Sequence, residues 1–220
     1  MSMQRVMAEL GWRALRAGSL YSLALALHPK SALRVTGWIR SFRQNQPVGS
    51  DGNPIPWWVY PAISFVEERL APTQSVLEFG SGHSTLWLAQ RVHTILSIET
   101  DKQWADRIRS IAPPNVSLTV TSLAKDQLAT LPIPSDFHAD IVVVDCDGSR
   151  IACADYAVRN HLSVSGVVLW DNTDGPDWPN IKGLMKKYGF SEISFVGMTA
   201  QIVTTSRTTI FYRHGNCLQI

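Results

Sequence analysis

The sequence predicts an α/β protein built on a doubly wound, mostly parallel sheet of seven strands, with an antiparallel hairpin at the C-terminal end and a helical extension at the N-terminal end. Three observations carry this. From residue 62 onward, helix-length segments alternate with short apolar runs, the pattern of a parallel sheet covered by helices. The first apolar run ends in a double-glycine turn, Phe79-Gly80-Ser81-Gly82. The last two strand-like segments, 192–197 and 207–213, have no helix-length stretch between them, so they pair antiparallel, as a hairpin at the sheet edge.

In chain order, residues 3–27 read as helical. Arg5, Glu9, Arg13 and Arg16 share one face, and Val6, Leu10, Ala14 and Ala17 form a parallel apolar stripe. His28-Pro29 ends that element, and a shorter helix is expected over 31–43. Residues 44–61 contain four prolines and two glycines and read as an irregular connector. Its Trp57, Trp58 and Tyr60 are more aromatic than a solvated linker needs. They pack against the core or cover a pocket, and the sequence leaves both open. Helices follow at 62–70, 84–91, 101–111, 151–161 and 179–188. Strands are expected at 75–79, 94–99, 116–121, 141–144 and 166–170. Ile141 to Val144 is continuously apolar, as in a strand buried on both faces. The division expected is a basic extension and aromatic connector, 1–61, and one catalytic domain, 62–220.

Composition narrows the function classes. Apolar residues make up 45% and charged residues 17%, ordinary for a folded domain and unlike a disordered chain. The net charge of +2 argues against a general nucleic-acid binder. Residues 1–50 carry seven basic side chains against Glu9 alone. Such a head is a solvated helix face, or it meets an acidic partner or the surface of a membrane. The cysteines Cys146, Cys153 and Cys217 lack paired spacing, so neither a disulfide framework nor a zinc site is expected, and a reducing cytoplasmic setting fits. No run reaches the ~20 apolar residues that span a bilayer.

Ligands of open α/β sheets bind at the carboxyl ends of the strands. Strand one ends in Glu78-Phe79-Gly80-Ser81-Gly82-His83-Ser84-Thr85, where glycines allow a sharp turn and close approach of a ligand, and where the next helix begins. Strand two ends at Glu99, 19 residues after Gly80, placed to accept hydrogen bonds from ribose hydroxyls. Strand four ends at Asp145, followed by Cys146-Asp147-Gly148-Ser149-Arg150, and strand five at Asp171-Asn172. Asp145, Asp171 and Asn172 lie at the ends of adjacent strands, and two carboxylates with an amide oxygen are hard ligands suited to Mg²⁺.

The run VLEFGSG, the acid of SIETD, the strand DIVVVD and the terminal hairpin resemble the class I S-adenosylmethionine (SAM)-dependent methyltransferases over about residues 62–213. The resemblance implies a Rossmann-like methyltransferase fold with Glu78, Gly80, Ser81, Gly82, Ser84, Glu99 and Asp145 around SAM. In it Gly80 and Gly82 make room, Ser84 meets the methionine carboxylate and Glu99 holds the ribose. Trp104 packs near adenine or belongs to the core. The Asp145, Asp171 and Asn172 set is similar to the metal triad of Mg²⁺-dependent small-molecule O-methyltransferases. There the metal binds the acceptor hydroxyl and lowers its pKa. One position departs from that family: its lysine, three residues after the strand-four aspartate, is Gly148 here. The base is then Asp147, or Asp145 itself, and Arg150 is a candidate for recognising an anionic acceptor.

The expected activity is methyl transfer to the hydroxyl of a small molecule. Two other readings are weighed. An NAD-dependent oxidoreductase lacks its third fingerprint glycine here, and its sheet would not end in an antiparallel hairpin. A non-catalytic scaffold would bind a membrane or protein through the basic N-terminal helices. Nucleic-acid methylation is disfavoured, because residues 62–220 show no basic stripe and no Asn-Pro-Pro-Tyr run follows strand four. His83, His138 and His161 show no ligand spacing.

Overall fold

The computed structural model describes residues 20–220. Its core is a seven-stranded sheet in the order β3-β2-β1-β4-β5-β7-β6. The strands are β1 (Ser75–Phe79), β2 (Thr94–Glu99), β3 (Val116–Val120), β4 (Ala139–Val144), β5 (Leu162–Trp170), β6 (Ser191–Met198) and β7 (Thr205–Tyr212). The first five run parallel, and β7 runs antiparallel to both β5 and β6. The last two strands form the expected antiparallel hairpin at the sheet edge, with β7 pairing to β5 and β6 outermost. Four consecutive buried residues, Thr208 to Phe211, mark β7 as an interior strand.

Eight helices occur among the described residues. They are α1 (Leu20–Ala26), α2 (Ala32–Val35), α3 (Trp38–Gln44), α4 (Tyr60–Glu67), α5 (His83–Ala89), α6 (Lys102–Ile111), α7 (Arg150–Asn160) and α8 (Trp178–Lys187). A 3₁₀ helix at Lys125–Thr130 lies where the sequence pattern assigned no element. The basic face at Arg5, Glu9, Arg13 and Arg16, expected on a helix over 3–27, lies outside the described residues.

The single helix expected over 31–43 is two. Gly37 separates α2 from α3 at φ 85°, and a Cβ there would come within 2.5 Å of the Val48 carbonyl oxygen. The chain breaks where the 48–49 backbone crosses. Helix α4 begins two residues earlier than expected, because Pro61 fits the first helical turn, where no N–H bond is lost. Strand β5 starts four residues earlier than expected. Its first half alternates around the exposed Val164 and so lacks a continuous apolar run.

Alternate residues of the sheet feed two cores. Leu77, Phe79, Val142, Val144, Val168 and Trp170 pack toward α7, α8 and the 3₁₀ helix. Val76, Ile95, Ile141, Val143, Val167 and Leu169 pack on the other face, with Trp58, Ile63 and Trp87. The aromatic connector joins that second core. Trp58 is fully buried edge-on to Trp87, with ring centroids 6.1 Å apart. Trp57 is half exposed and donates from Nε1 to the Ala200 carbonyl.

Candidate functional site

Strand register places the chemistry in one row. Phe79 is paired with Ile98 of β2 and with Val144 of β4, and Val144 with Trp170 of β5. The residues one step further, Gly80, Glu99, Asp145 and Asp171, therefore leave four neighbouring strands at the same level. The apolar pairs below fix the register, since a one-residue slip would turn each buried side chain to the opposite face.

The turn after β1 rests on Gly80. At φ 91° it is in the left-handed region, and an added Cβ would lie 2.2 Å from the Asp145 carbonyl oxygen. Gly80 N donates to Ile98 O at 2.8 Å, and Asp145 N donates to Phe79 O at 2.9 Å, so the turn is stitched to both flanking strands. Gly82 differs. Its backbone is extended, and the nearest atom to an added Cβ is Trp104 Cζ2 at 3.9 Å. No conformational need selects glycine there, and the space beside it is open. Trp104 forms the wall of that space. Its Nε1 donates to the Ser81 carbonyl at 2.7 Å, while its own N–H is capped by Asp101.

Glu99 is nearly buried. Its Oε2 accepts from Ser81 N at 2.9 Å and from Ser81 Oγ at 3.2 Å. Its Oε1 accepts from Thr100 N, Thr100 Oγ1 and Asp101 N at 2.6, 3.3 and 2.9 Å. The backbone donors hold the carboxylate in place, and the two hydroxyl donors can rotate aside for a ligand.

Glu78 and Ser84 are arranged otherwise than the resemblance implies. Glu78 is fully buried and accepts from Ser84 Oγ at 2.6 Å, from Thr85 Oγ1 and from Ser97 Oγ at 2.8 Å. Burial pushes its carboxyl up to about 7 against the opposing effect of these three hydroxyls. The pair is an internal tie between β1, β2 and the start of α5. The Ser84 hydroxyl is committed to it.

The expected metal set also meets a different arrangement. Arg150, the first residue of α7, reaches across the ends of β4 and β5. Its Nη2 donates to Asp145 Oδ1 at 3.2 Å. Its Nη1 donates to Asp171 O at 2.9 Å and Asn172 Oδ1 at 3.2 Å, and its Nε donates to Cys146 O at 2.7 Å. The Asp171 carboxyl points elsewhere: it is 3% exposed and accepts from Thr208 Oγ1 on β7. Thr208 Oγ1 in turn accepts from Val59 N at 3.2 Å, linking the aromatic connector to the end of β5. A divalent cation needs these oxygens unprotonated and free of a competing positive charge. With a guanidinium on two of the three expected ligands and a hydroxyl on the third, the residues do not fit Mg²⁺. Among the described residues, no group of three or more His, Cys, Asp or Glu side chains forms a metal cluster.

Burial, reinforced by the nearby Asp171, pushes the Asp145 carboxyl well above the usual carboxylate range, and Arg150 opposes this. Burial likewise pushes Asp171 up to about 6. Asp147 is exposed on the loop after β4. Asn172 is held at φ 56°, a strained value for a non-glycine residue and one that clusters at functional sites.

Beside this row a cavity of about 730 Å³ opens between α7, α8 and the 3₁₀ helix. Ile151, Leu128, Ile181 and Leu184 give it apolar stretches beside the charged Lys125, Asp155, Arg159 and Asp177, Trp170 closes one side, and Arg150 and Asn172 line it where it meets the strand ends. Trp57, Trp58 and Tyr60 do not line it. Thr208 and the reach of Arg150 were not legible as site features in the sequence. The only signal for Arg150 was its position five residues after Asp145.

No protein-family model matches the chain. A curated protein of Pyrobaculum aerophilum, described as probable ribosomal RNA small subunit methyltransferase A, is 51% identical over 41 residues. That stretch is 19% of this chain and 18% of that protein, so the chain matches less than a fifth of its relative's length. Two solved structures cover most of both chains. The O-methyltransferase TomG of Streptomyces achromogenes, involved in tomaymycin synthesis and solved with SAM, aligns at a TM-score of 0.52 and 18% identity, over 90% of this chain and 96% of its own. An O-methyltransferase of Bacillus cereus, solved with S-adenosylhomocysteine (SAH), aligns at 0.52 and 15% identity, over 87% and 96%. This chain has the fold of the class I SAM-dependent methyltransferases.

Proposed function

We propose that this chain, which carries the class I SAM-dependent methyltransferase fold, moves the methyl group of SAM to an oxygen of a small-molecule acceptor. The observation that carries the reading is the row formed by Gly80, Glu99 and Asp145, with open space at Gly82 beside the Trp104 indole. SAM lies across this row. Glu99 accepts from the ribose hydroxyls, which replace the hydroxyls of Ser81 and Thr100. Gly80, Ser81 and Gly82 bring backbone close to the methionine end, and Glu78 with Ser84 braces the turn from beneath.

The acceptor sits in the 730 Å³ cavity with its reacting oxygen at the strand ends. An apolar body of drug-like size fits such walls. The acceptor oxygen forms the new C–O bond as the C–S bond breaks, and the electron pair stays on sulfur as SAH leaves. The hydroxyl proton passes to a carboxylate, for which Asp145 stands nearest the row and the exposed Asp147 is the alternative. SAM brings its own leaving group, so in-line alignment supplies much of the acceleration. The TomG and Bacillus cereus proteins, both O-methyltransferases, support an oxygen acceptor. The short ribosomal-RNA relative makes RNA the competing acceptor class, which the mildly acidic body of residues 51–220 disfavours.

Calorimetric titration with SAH, comparing the wild type with Glu99→Ala, tests the cofactor site. Binding that the variant weakens by about 100-fold or more supports it. No binding by well-folded wild type removes it.

A second reading concerns residues 1–61 as an extension on the 62–220 catalytic domain. Leu23 and Leu25 of α1, Leu27 just after it and Phe42 of α3 are exposed in a basic stretch of sequence, the composition of a surface that meets anionic lipid. Co-sedimentation with anionic but not neutral vesicles would support it, and equal recovery in the supernatant with both would end it.

A further inference from the structure

We propose that Arg150 is the resident cation of this site, standing where the Asp145, Asp171 and Asn172 pattern implies a divalent metal, so that methyl transfer here is metal-independent and the acceptor oxygen is received by a guanidinium. The inference rests on the methyl-transfer reading above. It departs from the metal-assisted chemistry that the Asp145, Asp171 and Asn172 pattern implies.

The geometry is specific. A guanidinium has five N–H groups. Four are engaged: with Cys146 O, Asp171 O, Asn172 Oδ1 and Asp145 Oδ1. These acceptors come from the ends of both β4 and β5, so the plane of the group is pinned across the row. The Arg150 side chain is 27% exposed and lines the cavity, and these four bonds leave its fifth N–H for an acceptor oxygen there.

The same arrangement excludes a metal. A dication placed among these oxygens would sit a few ångströms from a fixed positive charge. It would also have to displace the hydrogen bonds that Asp145 Oδ1, Asn172 Oδ1 and Asp171 Oδ1 now accept. Gly148 fits this picture. It is the position of the family's lysine, and a second cation so close to Arg150 would repel it. Arg150 supplies charge from the next turn instead.

The ligand class follows. The site takes a hydroxylated molecule with an apolar, ring-sized body, whose oxygen gains negative character as its proton leaves. In the transfer the acceptor O–H bond breaks, with its proton passing to a carboxylate or water. The oxygen–methyl bond forms, and the methyl–sulfur bond breaks to leave neutral SAH. Arg150 stabilises the oxygen's developing charge through that fifth N–H and is not consumed. A guanidinium does this without the loss of charge that a histidine would suffer near neutral pH.

The test is a Mn²⁺ titration followed by electron paramagnetic resonance, on wild type, Arg150→Met, Arg150→Lys and Asp145→Asn. SAH calorimetry on each sample reports fold and cofactor site separately. The expected result is no site-specific Mn²⁺ binding by wild type or Arg150→Lys up to about 1 mM. In Arg150→Met, where the charge is gone and the oxygens are released, Mn²⁺ affinity rises about tenfold or more. Wild-type Mn²⁺ binding that Asp145→Asn abolishes overturns the proposal. So does an Arg150→Met variant that binds SAH like wild type and Mn²⁺ no better. The wild-type and Asp145→Asn comparison decides even if Arg150→Met fails to fold. Absent SAH binding by wild type would remove the methyltransferase reading, while the Mn²⁺ outcome would still say whether Arg150 fills the cation position.

Discussion

Gly80 and Asp145 meet backbone to backbone: a Cβ on Gly80 would lie 2.2 Å from the Asp145 carbonyl oxygen. The turn that opens the cofactor row is thus also the joint between β1 and β4. Gly80→Ala combines a left-handed backbone with this collision, and we expect it to destabilise the fold by about 3 kcal/mol or more. Gly82→Ala has neither problem, since its backbone is extended and its nearest neighbour is 3.9 Å away. It should melt within a degree or two of wild type yet bind SAH at least about tenfold more weakly. Thermal melts and calorimetry on the two variants separate fold from site. Equal effects on both readouts would refute the division.

Glu78 predicts a pH dependence. Its ordinary value of 4.5 rises to about 7 in the folded chain. Between those values the folded protein keeps a proton that the unfolded chain has lost. Stability from this group is therefore full below about 4.5, falls as pH rises toward 7, and is flat above. Glu78→Gln removes the titration. The difference in urea midpoint between wild type and variant should shift in the variant's favour across that window, and a constant difference would contradict the buried-acid account.

Trp104 holds the Ser81 carbonyl through Nε1. Trp104→Phe keeps most of the ring surface and loses that bond. We expect a loss of about 1 kcal/mol in SAH binding, or roughly fivefold, with little change in melting temperature. Fluorescence-detected titration with SAH measures it.

Thr208 bonds the Asp171 carboxyl and accepts from Val59 N. Thr208→Val leaves a buried acid and a buried N–H without their partner. The expected cost is about 2 kcal/mol of stability. Denaturant unfolding checks it, and Thr208→Ser, which keeps the hydroxyl, should recover most of the loss.

Asp145→Asn distinguishes the proton acceptor from a cofactor ligand. Once an acceptor is known, the variant should lower kcat by about 100-fold or more while SAH affinity changes little. If Asp147→Asn gives that result instead, the loop carboxylate is the base.

Much of this protein is readable without coordinates because it depends on local pattern. The continuous apolar run Ile141–Val144 reads as a strand covered on both faces. The two glycines after Phe79 read as a turn. Glu99 stands at the end of the next apolar run, 19 residues after Gly80. These features report helix period, strand period and backbone freedom, all written into neighbouring residues.

The tertiary structure decided what depends on reach across the sheet. Pairing decided which strand of the terminal hairpin lies inside, β7 rather than β6, because β-strand identity in sequence carries no information about which neighbour is chosen. It turned the Asp171 carboxyl to Thr208, 37 residues away in the chain. It also laid the long side chain of Arg150 over the ends of β4 and β5, where its guanidinium bonds two of the three expected metal ligands, Asp145 and Asn172. Spacing in the sequence could bring those oxygens together. Only the fold could show that Arg150, with enough length to get there, donates hydrogen bonds to them.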